Sequence, residues 1–352
     1  MAIQQMLLGA GGGPPGPDID EVFHINTYSG NQSNRSFNTG LDFATNGGAI
    51  WNSVRNQQLK DMAINKSTGN TDTYPIALTG NPEANSSWFK TWDSTGYSIG
   101  TNTADNTDGF WNKNGHTYVN WGWRNCDKFF KEIKYTGNGT DAGQAITHGL
   151  GSTPGFIIVR GIESSQTQAL CYHRSMAQTH FIELGPNTNK RAFNYHAGPS
   201  RSWSVNSTTF NVPNGGGGAY TLNVNNKDYV AWIFADHSSE GSFGSSGNKK
   251  AIICDKYTGN GSSSGPTITL GFQPQWLLVT SFQGPDPTSG QWWVFDDERG
   301  FDKTMTLQNH TENDQGSNFV STSSTGFTLT TSNGHINENN TEYLYIAIAA
   351  ST

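Results

Sequence analysis

The chain has 352 residues, a net charge of −7, 33% hydrophobic residues and only 14% charged ones. That length exceeds one ordinary domain, and the apolar share suffices for buried cores. The acidic balance, with no run of Lys and Arg to offset it, excludes a phosphate-binding footprint, so no nucleic-acid partner is expected.

The polarity comes from Gly (42 residues) and from abundant Asn, Ser and Thr, which favour turns and strand edges over helices. The 11 Trp, 12 Tyr and 19 Phe bury large areas and favour strands. The longest apolar runs, such as Ile346 to Ala350, fall far short of the ~20 residues of a spanning helix, so membrane insertion is not expected.

In chain order, Met1 to Leu8 (MAIQQMLL) is an apolar-polar patch without the basic start or length of a signal peptide. Gly9 to Pro17 is a Gly/Pro tether. Residues 1–20 therefore read as an extended N-terminal docking arm, with Ile3, Met6, Leu7 and Leu8 as its contact residues.

Four markers then recur in one order. The first is a Tyr-Gly-Asn turn: Tyr28-Ser29-Gly30-Asn31, Tyr135-Thr136-Gly137-Asn138 and Tyr257-Thr258-Gly259-Asn260. The second is a Leu-Gly or Gly-Leu step before an apolar run: Gly48 to Trp51, Phe156 to Val159, and Trp276 to Val279. The third is Thr95 to Ile99, Thr208 to Val212, and Thr325 to Leu329. The fourth closes each unit: Tyr118 to Trp123, Tyr229 to Phe234, and Tyr343 to Ile348.

In the second and third units the second and fourth markers (Phe156 to Val159, Trp276 to Val279, Tyr229 to Phe234 and Tyr343 to Ile348) are continuous apolar runs, as in strands buried on both faces. Tyr220 to Val224 alternates, as a half-exposed strand does. Gln57 to Ile64 is the best helix candidate, and it is short. Units of roughly 105–120 residues with short strands and Gly/Asn turns predict an all-β chain of three tandem β-sandwich, jelly-roll-like domains. They are expected at 21–127, 128–248 and 249–352, joined at Arg124 to Lys128 and by a Ser/Gly-rich linker from His237 to Gly247.

Taken together, the opening MAIQQMLLG (Met1 to Gly9), the Tyr-Thr-Gly-Asn-Gly turns, the strands after Pro154 and Pro274 and the closing aromatic strands resemble structural virion proteins, of fibre or decoration type, from marine cyanobacterial phages. The resemblance spans nearly the whole chain and is weakest between Trp51 and Trp88. It implies a particle component in the tail, neck or capsid, folded in the bacterial host cytoplasm and anchored by its arm to other virion proteins. A homo-oligomer is expected, the resemblance suggesting a trimer as in many fibres, and a host-surface glycan is a further expected contact. It implies no catalytic site.

The residues themselves agree. Asp296-Asp297-Glu298 is the densest acidic cluster and follows Trp292-Trp293. A glycosidase needs two carboxylates facing each other across a cleft, whereas neighbours on a strand point to opposite faces. Arg299 is also placed to neutralise the cluster. Trp292, Trp293 and Asp296 stand as candidate glycan contacts, not as a catalytic set. His173, His180 and His196 lack the spacing of a zinc motif, and Cys126, Cys171 and Cys254 form no CxxC pair and read as free thiols. No enzyme, metal or cofactor is expected. The competing readings are a lectin-like carbohydrate-binding array and, more weakly, a polysaccharide depolymerase.

Overall fold

The computed structural model describes residues 15–57, 62–68, 73–75, 89–100, 111–162, 169–184, 191–192, 202–212, 221–283, 291–307, 315–316 and 318–351. Among them the regular secondary structure is nearly all antiparallel strand. Helix is limited to single turns such as Phe43–Asn46 and Gly334–Asn337.

The first group of strands is β1 (Phe23–Ser29), β2 (Arg35–Asn38), β3 (Gly48–Val54), β4 (Met62–Asn65), β5 (Thr73–Pro75), β6 (Phe89–Asp93), β7 (Gly96–Ile99) and β8 (Thr117–Arg124). The second is β9 (Phe130–Thr136), β10 (Gln144–Thr147), β11 (Phe156–Gly161), β12 (Ala169–His173), β13 (His180–Glu183), β14 (Arg191–Ala192), β15 (Thr209–Val212) and β16 (Asp228–Phe234). The third is β17 (Ile252–Thr258), β18 (Thr267–Thr269), β19 (Pro274–Gln283), β20 (Trp292–Asp296), β21 (Lys303–Thr306), β22 (Gln315–Gly316), β23 (Val320–Ser323), β24 (Gly326–Leu329) and β25 (Glu342–Ala349).

Each group makes a large and a small sheet in one repeated order. The large sheets run β1-β8-β3-β4-β5, β9-β16-β11-β12-β13-β14 and β17-β25-β19-β20-β21-β22. The small sheets are β2-β7-β6, β10-β15 and β18-β24-β23. First strand pairs with last, and second with a late strand. The register puts Tyr28, Tyr135 and Tyr257 at one position, opposite Tyr118, Tyr229 and Tyr343.

That position explains the first marker. The paired tyrosine rings stack with centroids 4.8, 5.1 and 5.1 Å apart. The hydroxyls of Tyr28, Tyr135 and Tyr257 donate to the carbonyls of Trp111, Leu222 and Ile336. The residue after each carbonyl is a buried asparagine, Asn112, Asn223 or Asn337, whose Oδ1 accepts from the backbone N–H of Asn31, Asn138 or Asn260 in the turn. The hydroxyls of Tyr118, Tyr229 and Tyr343 accept from the N–H five residues upstream. The turn glycine is required by contact. A Cβ on Gly30, Gly137 or Gly259 would sit 2.1, 2.3 and 2.3 Å from the carbonyl oxygens of Lys113, Val224 and Glu338.

This brace corrects one expectation. Of the expected strand Tyr220 to Val224, residue 220 lies outside the described residues and 221–224 are no strand: the Asn223 amide is bonded to Asn138, and the Leu222 carbonyl and Val224 N–H bond tyrosine hydroxyls rather than a neighbouring strand. A second correction concerns Gln57 to Ile64. Met62–Asn65 is strand β4, because Ile64 faces Ile50 across the ladder and both fill the space between the sheets. Residues 58–61 lie outside the described set.

The two sheets of the first and third groups enclose cores of their own, with Ile50, Ile64, Trp92 and Tyr97 in one and Leu277, Phe295, Phe327 and Tyr343 in the other. The largest core lies elsewhere. It joins the outer faces of all three large sheets and continues into the second sandwich. Trp123 is its hub: ring centroids of Trp232 and Trp276, from the other two groups, lie 5.5 and 5.6 Å away. The joints are correspondingly packed. His237, in the expected linker, is buried, takes the Ala251 N–H on Nδ1 and bonds the Lys128 carbonyl through Nε2 at 2.7 Å, while Phe243 packs on Phe129.

A core shared by three sheets predicts shared melting. Trp232→Ala should lower stability by about 3–5 kcal/mol. Calorimetry should show one transition displaced as a whole. A separate early transition, with the rest of the melt unmoved, would mean that the second group unfolds alone.

Candidate functional site

Two places concentrate chemistry: the seams between the groups, and the end where the chain enters the fold. At the seams, Asn65, His173 and Asp296 occupy one position of the repeat. Each pairs with a residue near the start of the third strand (Ala49, Phe156, Trp276), which in turn pairs with Trp123, Phe234 or Ile348. Each reaches into a neighbouring group. Asn65 Oδ1 accepts the Trp232 indole N–H at 2.6 Å, His173 Nε2 bonds the Tyr345 carbonyl at 3.2 Å, and Asp296 Oδ2 accepts the Trp121 indole N–H at 3.0 Å. Two residues on, the pattern repeats on the first strands: Ser67 bonds Glu132, Ser175 bonds Asp255 at 3.3 Å, and Glu298 accepts from Thr27 at 3.2 Å. The first group thus holds the second, the second the third, and the third the first.

The three anchors differ in charge. Asp296 and Arg299 form an ion pair at 2.7 Å with both side chains fully buried. The carboxylate also caps the Arg299 N–H, and the guanidinium donates to the Val294 carbonyl. At His173, Nδ1 accepts the Ser175 N–H, so the ring proton sits on Nε2 and is donated to Tyr345. Burial, opposed only partly by that carbonyl, lowers the His173 pKa to about 4. At the seam between the first two groups, burial raises Glu132 to about 7 against the pull of the Ser67 hydrogen bonds.

The residues expected to meet a glycan are buried, which corrects that expectation: Trp292 and Asp296 lie in seams, and Trp293 lies in the core of the third sandwich. Trp292 is 1% exposed, and its indole N–H donates to the Glu183 carbonyl of the second group. Trp293 is packed against Phe319 and His335. Asp296 has no exposed surface. None can stack on or bond a sugar. Asp297 points outward from the same turn, with its pKa raised to about 6 by partial burial and by the neighbouring Asp296. The strand run Trp292 to Asp296 looks like a binding platform in sequence because a buried seam and an exposed platform use the same residues.

The other candidates are structural too. His173 is a seam residue, and His196 lies outside the described residues. Cys126, Cys171 and Cys254 are free, and burial raises each thiol, which suppresses the nucleophilic thiolate. Among the described residues no group of three or more His, Cys, Asp and Glu could hold a metal. No described helix is long and apolar enough to cross a membrane.

The second place is the end where first strands begin and last strands finish. Here Gly16 N–H donates to the Gly244 carbonyl and Gly244 N–H to that of Pro17, each at 3.0 Å. Ser351 near the chain's end donates to Asp20 at 2.7 Å. A groove of about 670 Å³ opens beside this root, floored by Ile19, Phe243, Ala251 and Phe272, with Asp18 and Lys250 among its polar walls. Ile3, Met6, Leu7 and Leu8 lie outside the described residues. The Asn-braced turns lie at the opposite end of every large sheet.

The two titrating seam groups predict opposite pH effects. His173 is depressed when folded, so its contribution is present above its ordinary 6.5 and is lost as pH falls toward about 4. Glu132 is raised when folded, so stability is greatest below its ordinary 4.5 and is lost as pH rises through about 7. Each change is on the order of 3 kcal/mol at full extent. Glu132→Gln should therefore gain stability over the native chain at about pH 8 and show little gain near pH 4.5. Urea midpoints at both pH values check this, and an equal shift at both would remove Glu132 as the titrating group.

A search among curated proteins finds no match to this chain. A family model described as a domain of unknown function, DUF7483, matches residues 18–352, which takes in every described strand and leaves out the arm through Pro17. The chain belongs to the DUF7483 family.

Proposed function

We propose that this protein is a non-enzymatic structural component of a phage particle, a fibre or decoration protein of the tail, neck or capsid. It is anchored to other virion proteins by its N-terminal arm and carries its braced turns away from the anchor. The observation that carries this reading is the arm's root. Gly16 and Pro17 are pinned to Gly244 at one end of the sheets, and the Tyr-Gly-Asn turns occupy the other. An arm rooted there starts from the base, where a docking peptide is useful. Ile3, Met6, Leu7 and Leu8 supply apolar surface whose burial in a partner's groove is favourable by roughly 25 cal/mol per Å². The packed, hydrogen-bonded seams and the aromatic hub suit a body that bears load rather than one that opens around a substrate. The lectin reading has no support from Trp292, Trp293 and Asp296, which are buried.

Deletion of residues 2–14 leaves the Gly16–Gly244 pairing intact and should yield a folded protein that no longer enters particles. Incorporation of the truncated chain at the normal level would move the anchor from the arm to a surface of the folded body.

A further inference from the structure

We infer that this chain serves as a single copy whose threefold arrangement is internal, so that each copy presents one arm to one docking groove on its partner. Every group offers two complementary surfaces: an anchor at the end of its fourth strand, and a receiving face on its first and last strands. In the first group these are Asn65 with Ser67, and Trp121 with Thr27. Asn65 and Ser67 are occupied by Trp232 and Glu132 of the second group. Trp121 and Thr27 are occupied by Asp296 and Glu298 of the third. The second group's anchors, His173 and Ser175, engage Tyr345 and Asp255 of the third.

A head-to-tail contact of this kind either closes into a ring or runs on into a filament. Here it closes after three groups, and among the described residues every anchor and receiving face is used once. A homotrimer of sandwiches would hold itself together through such surfaces; this chain has already spent them. The anchors also differ in chemistry: an amide, an imidazole and an ion-paired carboxylate. Each fits its own neighbour. Asp296 meets an indole donor in Trp121, whereas the corresponding position in the third group is Ile346, which has none.

The consequence for attachment rests on the proposed function. A trimer brings three arms, and linked binding multiplies weak contacts. A single-copy ring brings one arm for three sandwiches, so it takes one partner groove per ring.

Sedimentation of the purified full-length chain tests this without any particle. The expected mass is 38.2 kDa, unchanged over about a hundredfold in concentration. A mass three times larger, or any multiple that survives dilution, overturns the inference. Repeating the measurement after deletion of residues 2–14 separates the two readings. A multiple that falls to one copy on deletion shows that arms join copies, which overturns single-copy action while leaving arm-mediated attachment standing. A multiple that persists shows that the folded bodies associate through surfaces other than the seams.

Discussion

The constraint on which the structure depends is that each large sheet is apolar on both faces. One face is covered by the small sheet of its own sandwich. The other has no small sheet to cover it, and Trp51, Trp121, Trp123, Trp232 and Trp276 stand on it or at its edge. An exposed face of that composition would drive association. The chain covers it by setting three such faces against one another, with Trp123 touching both neighbours. The sandwiches are therefore not beads on a string, and the Ser/Gly-rich stretch after His237 is a packed corner rather than a flexible spacer.

Polar groups decide how the faces meet. An apolar face alone tolerates sliding, whereas a buried polar group that finds its partner in only one register does not. Asn65, His173 and Asp296 each carry such a bond at the rim of the shared core. The Asp296–Arg299 pair need not add net stability, because removing two charges from water offsets much of their attraction. Taking away one partner is the severe change, since it strands the other charge inside. Fixing the arrangement of the ring is the role we assign these groups.

Much of the fold was legible in the sequence. The fourfold marker order identifies the repeat, and the tyrosine-glycine-asparagine turn is conspicuous because it needs particular atoms: a ring to stack, an amide to bond and no Cβ. The both-face burial of Phe156 to Val159 and Trp276 to Val279 was also readable from unbroken apolar runs. What covers the second face was not. A tryptophan followed by acidic residues, as at Trp292 to Asp296, has one appearance whether it waits for a sugar or for Trp121, because the partner lies 175 residues away. Tyr220 to Val224 misleads for a related reason: its sequence alternates like a half-exposed strand, yet Thr221, Leu222 and Asn223 are buried in succession. The seam anchors follow no local motif, and only the three-way alignment of registers brings them to one position.

The central claim is that three sandwiches form one closed, cooperatively locked ring. Native-state hydrogen exchange at the indole N–H groups of Trp121, Trp232 and Trp292 tests it most directly, since these donate across seams to Asp296, Asn65 and the Glu183 carbonyl. If the ring is one unit, all three exchange only on global unfolding, with the same free energy as the most protected amides of β8, β16 and β25. If one indole exchanges orders of magnitude faster while those strand amides stay protected, its seam opens independently and the ring is not locked.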